Sequence, residues 1–248
     1  LVGAPCGIMD QLTAAFGRRR ALLPILCRPD QVAEPVELPE HAVAVGWPSG
    51  EEHDVGGSPY LAARTASFMG RRLLEAATGR RWQYNAEVPL DTWKRHAEDL
   101  PEEMSGAEFL ERHHGVDDPL SRIDPDAAYP VRAALDFPIR EHNRNERALA
   151  ILRDPALERE DLLAELGWIL HESHAGYRAM GLGSPGTDRI VDFVRRFGLE
   201  RGAYGGRISG GGSGGTVVVL LEKDAVPAFD NERRLALPEQ SSAPLILG

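Results

Sequence analysis

Five glycines fall within six residues at Gly210-Gly211-Gly212-Ser213-Gly214-Gly215, directly ahead of the apolar run Val217 to Leu221. Glycine has no Cβ and adopts backbone angles closed to other residues, so such a run makes a tight turn or a close backbone approach. The β-branched run behind it is strand-sized. Gly210, Gly212 and Gly215 satisfy G-x-G-x-x-G. That fingerprint requires a strand before it and a helix after it, so that a pyrophosphate can rest on the helix N-terminus. Here a turn leads into a strand, and a dinucleotide fold is excluded. A flexible Gly/Ser linker fits poorly, because no polar spacer separates Arg207-Ile208 from the strand. What remains is a loop lying close to a ligand, whose successive N–H groups can cradle an anion.

The rest of the chain supplies the partners such a strand needs. Ala42 to Trp47 is a second apolar strand, ended by Pro48-Ser49-Gly50, and Ala21 to Cys27 is a third, which Pro24 demotes to an edge or a bulge. Tyr60 to Ala77 is the clearest helix, with Ala62, Ala66, Met69, Leu73 and Ala76 as its buried stripe and Arg64, Arg71 and Glu75 off it. A later helix carries Leu163, Leu166, Leu170, His174 and Tyr177 on one face. Another is opened by Ser184-Pro185 and buries Ile190, Val191, Val194 and Phe197. Residues 85–141 are rich in Pro, Asp and Glu and predict a helical surface elaboration. Strands flank runs of helix instead of alternating with them, which points to an α+β fold.

Lys and Arg total 28 against 38 Asp and Glu, a net charge of −10. Nucleic-acid binding needs a basic face, so a phosphate-backbone partner is excluded. The apolar runs are too short to span a bilayer, and no signal-peptide pattern opens the chain. Two cysteines, Cys6 and Cys27, make no disulfide framework, and a cytoplasmic setting is expected.

The opening segment, Gly3-Ala4-Pro5-Cys6-Gly7-Ile8-Met9-Asp10-Gln11, turns at Gly7 and enters a short helix with Ile8, Leu12 and Ala15 on one face. Asp10 falls in the first turn, where the helix dipole favours a charged carboxylate able to accept a hydroxyl proton. Taken alone, Asp10 is as well explained as a first-turn stabiliser.

Its context changes that. GAPCGIMDQ at 3–11 resembles the motif around the catalytic aspartate of galactokinases, in the superfamily of galacto-, homoserine, mevalonate and phosphomevalonate kinases. The resemblance continues in order through Leu22 to Arg28, Ser58-Pro59-Tyr60 with Arg64, Glu172-Ser173-His174, and Arg207 to Gly215. Ser213 stands where galactokinases usually carry Phe. That departure, together with Ser49-Gly50 to His53 and Val55-Gly56-Gly57, Phe68 to Arg72, Asp117-Asp118-Pro119 and Pro138 to Glu141, resembles the L-arabinokinase branch.

The resemblance implies a GHMP-kinase-like two-domain fold, with residues 1–40 as the remainder of the N-terminal domain and 41–248 as a C-terminal domain of ferredoxin-like type. It implies ATP-dependent phosphorylation of the anomeric hydroxyl of an aldose, L-arabinose or galactose, with sugar and ATP as partners and Mg²⁺ as cofactor. Asp10 would face the C1 hydroxyl; Gly7, Tyr60, Gly211 and Gly212 would contact the sugar; Gly210, Gly211, Gly212, Ser213 and Gly214 would lie against the nucleotide phosphates. The family's first motif and its Ser-rich nucleotide loop, which carries the Mg²⁺ ligands, are expected upstream of Leu1. A fragment inactive by itself is therefore expected, the more so as Leu245-Ile246-Leu247 reads as a strand cut short. A non-catalytic, sugar-sensing member of the superfamily is the alternative.

Other candidates are weaker. His171 and His174 are three residues apart, where a zincin helix needs four and a third ligand, so His174 is expected as a satisfied core histidine and no metal site is predicted. Glu51, Glu52 and His53 are expected in a solvated loop, and Cys6 as a small buried residue without a local His partner.

Overall fold

The computed structural model describes residues 7–27, 30–51, 58–240 and 242–246. Among the residues quoted above, Gly3, Ala4, Pro5, Cys6, Arg28, Glu52, His53, Val55, Gly56, Gly57 and Leu247 lie outside the described residues. In chain order the elements are α1 (Met9–Phe16), β1 (Ala21–Leu22), β2 (Ile25–Cys27), β3 (Asp30–Val32), β4 (Val36–Glu37), β5 (Ala42–Pro48) and α2 (Ser58–Thr78). There follow α3 (Leu90–His96), β6 (Met104–Ser105), α4 (Gly106–His113), β7 (Ala128–Tyr129), α5 (Val131–Arg153), α6 (Arg159–Ala179) and α7 (Pro185–Phe197). The last are β8 (Ala203–Ile208), β9 (Thr216–Glu222), α8 (Val226–Ala236) and β10 (Leu245–Ile246). They divide into two units.

The larger unit comprises residues 6–53, 146–174 and 183–248. Its sheet has the order β10-β5-β9-β8 with every pairing antiparallel. Counted along the chain, the four strands lie in the order 4-1-3-2, with α7 between the first two and α8 between the last two. This is the ferredoxin-like arrangement. Alternation sends Val43, Val45 and Trp47 of β5 and Val217, Val219 and Leu221 of β9 to one face. There they pack on Ile190, Val191, Phe193, Val194 and Phe197 of α7 and Phe229 of α8. The other face, through Ala42 and Leu220, meets Leu162, Leu163 and Leu166 of α6, with Ile151 and Leu152 of α5 against them. α6 comes unusually close to the sheet: a Cβ on Gly167 would lie 2.1 Å from the Tyr204 carbonyl oxygen, and one on Gly205 would lie 2.2 Å from the Gly167 oxygen. α7 begins as its sequence predicts, with Ser184 accepting from the Thr187 N–H and Pro185 in the first turn.

The N-terminal part of this unit departs from expectation. Ala21 to Cys27 is two short strands, β1 paired with β4 and β2 with β3, interrupted at Pro24 because proline has no N–H for a ladder. No residue of α1 is buried; Ala15 is exposed, as are Met9 and Phe16. Periodicity states which side of a helix would be covered, and nothing described here covers it fully.

The smaller unit comprises residues 1–5, 54–145 and 175–182. Its core joins Leu74 of α2, Val88, Trp93 of α3, Leu100, and Leu135 and Ile139 of α5. The stretch 85–141, expected at the surface, thus contributes most of this core. Its polar composition hid the few large apolar residues that do the packing. α2 also differs: Ala62 and Ala76 are exposed, while Arg71 and Glu75 are 5% and 6% exposed. Burial is tolerated because the charges are partnered. Glu75 has the guanidinium groups of Arg71, Arg72 and Arg81 within 3.9, 3.9 and 3.1 Å, and Arg71 donates to the Gln83 carbonyl at 2.7 Å.

Candidate functional site

The glycine run is the connection of a hairpin, with β8 on one side and β9 on the other. Ser209 N–H donates to the Thr216 carbonyl at 2.8 Å and closes it. Within it Gly210, Gly212, Gly214 and Gly215 have positive φ, and so does Ser213 at +60°. Gly211, between Gly210 and Gly212, lacks a positive φ, and alternation of this kind within a turn directs successive N–H groups toward a common side, which is how a backbone makes an anion-binding concavity. Serine bears a steric cost there that glycine does not. Its Oγ is buried with no hydrogen-bond partner among the described residues. An unpartnered buried hydroxyl costs about 1–3 kcal/mol, so the loop holds a strained residue with an unanswered polar group.

The base of the loop is bonded to the segment that follows β5, and that segment is held in turn by the start of α7 and by Gln240. Beyond β5 the chain continues alongside it, Ser49 N–H donating to the Gly215 carbonyl at 2.7 Å and Gly215 N–H donating to the Glu51 carbonyl at 3.1 Å. The Glu51 side chain accepts from the Gly186 N–H at the start of α7 at 2.9 Å, and its second oxygen is buried without a partner. Gln240, 2% exposed, donates from one amide nitrogen to the Ser49 carbonyl at 2.7 Å and to the Gly186 carbonyl at 2.9 Å. Glu51 is therefore half-buried and bonded, not solvated as the sequence suggested. Nothing in the sequence singles out Gln240, an isolated amide in a polar stretch.

The remaining predicted residues are distributed as follows. Gly210 to Gly214 come together in the one loop, with Gly212 and Gly214 buried. Asp10 is exposed in the first turn of α1, in the same unit, three residues beyond Gly7. At Gly7 a Cβ would meet nothing within 4 Å, so crowding does not explain that glycine. Tyr60 belongs to the smaller unit and lies one turn ahead of Arg64 on α2. His174 is 2% exposed, its Nε2 3.0 Å from Asp188 Oδ1, a partnered core histidine. Burial, and then the charge of Arg195, hold His171 down to about 4 from its ordinary 6.5. Among the described residues no group of three or more His, Cys, Asp or Glu side chains could hold a metal ion, and no helix is long and apolar enough to cross a membrane.

Comparison with known proteins adds to this geometry. A family model described as GHMP kinases C terminal matches residues 155–232, which take in α6, α7, the hairpin and most of α8. The chain is 35% identical over 256 residues to L-arabinokinase of Arabidopsis thaliana, an alignment covering 89% of this chain and 24% of that protein. Among solved structures it resembles Lactococcus lactis galactokinase complexed with galactose, with a TM-score of 0.68, 18% identity, and 98% of this chain matched to 54% of that one. L. major mevalonate kinase in complex with R-mevalonate is more distant, at a TM-score of 0.48 and 15% identity over 91% of this chain and 47% of that one. The chain thus spans about a quarter of the arabinokinase and about half of the galactokinase.

Proposed function

We propose that this chain, which matches the GHMP kinases C terminal model over residues 155–232, supplies the C-terminal part of an ATP-dependent sugar kinase of that family acting on the anomeric hydroxyl of an aldose, L-arabinose or galactose. The observation that carries this is the identity of 35% with an L-arabinokinase across 89% of the chain. The glycine loop supports it: its backbone has the curvature of an anion cradle, and its one side chain, Ser213, brings a buried hydroxyl still able to donate.

The reaction forms a bond between the sugar C1 oxygen and the γ-phosphorus of ATP and breaks the bond from that phosphorus to the β-bridging oxygen, releasing ADP. Phosphoryl transfer asks mainly for positioning and for charge stabilisation. In this proposal Asp10 faces the C1 hydroxyl, orients it and takes its proton as the bond to phosphorus forms. Gly7, Tyr60, Gly211 and Gly212 contact the sugar. The N–H groups of the loop Gly210 to Gly214, with the Ser213 hydroxyl, donate to phosphate oxygens whose charge is shared in the transition state. Kinases of this family use ATP, generally with Mg²⁺. The phosphates suit the loop's donors, whereas the described residues offer no carboxylate cluster for Mg²⁺, and no step is assigned to the ion. The division at residues 40 and 41 places the start of the sheet unit's first strand, Ala42, just inside the C-terminal domain. A cytoplasmic location is part of the same proposal.

The test is a coupled ADP-release assay on the full-length protein with L-arabinose, galactose and other aldoses. Turnover with one of the first two, lost in Asp10→Ala without loss of the folded circular dichroism spectrum, is the expected result. Turnover in Asp10→Ala equal to the parent's would remove Asp10 from the mechanism, and no aldose-dependent turnover by the parent would remove the kinase.

A further inference from the structure

A six-residue turn with five glycines is the hardest kind of backbone to hold in one shape, since glycine loses more freedom on ordering than any other residue. Ordering that the protein does not carry out in advance is subtracted from the affinity of the ligand that orders the loop. The larger unit answers this with a clamp around one backbone position, Gly186 in the first turn of α7. Its N–H donates to Glu51 Oε1 at 2.9 Å, and its carbonyl accepts from Gln240 Nε2 at 2.9 Å. The same Gln240 nitrogen donates to the Ser49 carbonyl at 2.7 Å. Ser49 and Glu51 are the residues that pair with both backbone groups of Gly215, the last residue of the loop. Thus α7 and Gln240 set the segment 49–51, and that segment sets the end of the loop.

The clamp has little slack. A Cβ at buried Gly186 would lie 2.8 Å from Glu51 Cδ and 2.8 Å from the Ser49 carbonyl oxygen, so only glycine lets helix and segment approach this far. Gln240 is held in turn. Arg233, 0% exposed, donates to the Gln240 carbonyl, to the Ser242 carbonyl at 3.1 Å and to Asp230 at 2.7 Å. Asp230 also accepts from Trp47 Nε1 at 3.1 Å, which ties the clamp to β5. The chemistry of the amide matters here: one glutamine nitrogen gives its two hydrogens to two carbonyls, whereas a carboxylate of the same size has none to give.

We propose that Glu51, Gln240 and Gly186 are positioning residues for the glycine loop, holding it in the shape that receives the nucleotide phosphates before the nucleotide arrives. This rests on the sugar-kinase proposal for the loop and extends it, because none of the three need touch a ligand. With the clamp released, the bound nucleotide itself orders the loop, so the effect falls on affinity and spares the chemical step.

Two measurements test it. In the full-length kinase, Gln240→Ala and Glu51→Ala should each raise the ATP KM about tenfold and leave kcat within about threefold. Their double variant should fall well short of the roughly hundredfold expected of independent sites, because both act through segment 49–51. Glu51→Gln keeps an acceptor for the Gly186 N–H and should recover most of the loss. Gln240→Glu keeps the size without the donors and should recover none. Leu163→Val, a core change between α6 and the opposite face of the sheet, lowers stability without reaching the clamp and should leave the ATP KM within about twofold. A parental ATP KM in both alanine variants, a fall in kcat as large as the rise in KM, or an equal shift in Leu163→Val would overturn the proposal. The second measurement needs no turnover. Amide hydrogen exchange of residues 209–216, where the Gly215 N–H is bonded to Glu51, should be about tenfold faster in Gln240→Ala than in the parent, with α6 unchanged. Unchanged exchange over 209–216 refutes positioning. Faster exchange in a protein that phosphorylates no aldose would leave the clamp intact and refute the loop's nucleotide role.

Discussion

Helix propensity and the packing of α6 on the sheet make opposite predictions for Gly167→Ala. In an open helical position alanine is favoured over glycine by about 1 kcal/mol. At Gly167 the added methyl would sit 2.1 Å from the Tyr204 carbonyl oxygen and 2.4 Å from its carbon. Both atoms are backbone of β8, at the register shift between Ala203 and Gly205, and cannot rotate aside as a side-chain tip would. Reaching the 3.0 Å below which real Cβ contacts essentially never fall requires α6 to retreat by about 0.9 Å. A gap of that size forfeits roughly a quarter to a half of each dispersion contact across it, here those of Leu163 and Leu166 with Ala42 and Leu220. Overpacking against rigid neighbours costs about 3 kcal/mol; set against the gain of about 1 kcal/mol in propensity, the variant should be less stable by about 2 kcal/mol. In urea, with a slope of about 2 kcal/mol per molar, the midpoint should fall by about 1 M at unchanged slope. Trp168→Ala, next door but 59% exposed, should stay within about 0.5 kcal/mol of the parent. A midpoint for Gly167→Ala equal to or above the parent's would show that α6 does not lie on β8 as closely as described.

Two further outcomes are expected. His171 titrates near 4 in the folded protein against 6.5 when free. Because the folded value is the lower one, stability is complete above pH 6.5 and is lost as pH falls from there toward 4, by at most about 3 kcal/mol before solvent screening of this half-buried ring. Melting temperatures of parent and His171→Gln across pH 7 to 4.5 should converge on the acid side, and parallel curves would exclude this histidine. Gly212→Val places a branched side chain at a φ of +86° in a buried position of the loop. It should weaken both sugar and ATP in the full-length kinase by tenfold or more, and unchanged KM values for both would show that the loop touches neither.

What the sequence made legible follows the range of the forces involved. Local signals were plain: Ser184-Pro185 opens α7 because the capping groups are neighbours in the chain, and Pro24 divides a strand because the missing N–H is its own. The 4-1-3-2 sheet order was legible only through the resemblance, since nothing local says that both neighbours of β5 are strands near the far end of the chain. Arg71 and Glu75 read as exposed because charge normally is, and the partners that permit their burial come from Arg72, Arg81 and the Gln83 carbonyl. At the candidate site the glycine loop announced itself. The groups that fasten it, Glu51 and Gln240, did not, because their partners are 135 and 191 residues away.

The pairing of Ala42 with Glu222 and of Val45 with Ile246 also has a consequence in time. During synthesis β5 emerges roughly 180 residues before the strand that neighbours it on one side and later still before the other arrives. At about 5–20 residues per second that is a wait of about 10–35 s, with both edges of an Ala-Val-Ala-Val segment unpaired. Topologies dominated by such distant pairings fold slowly. The smaller unit's chain is made almost entirely within that interval and has a core of its own to collapse upon. The ribosome should therefore release a helical unit already formed while the sheet is still waiting for its central strand's partners.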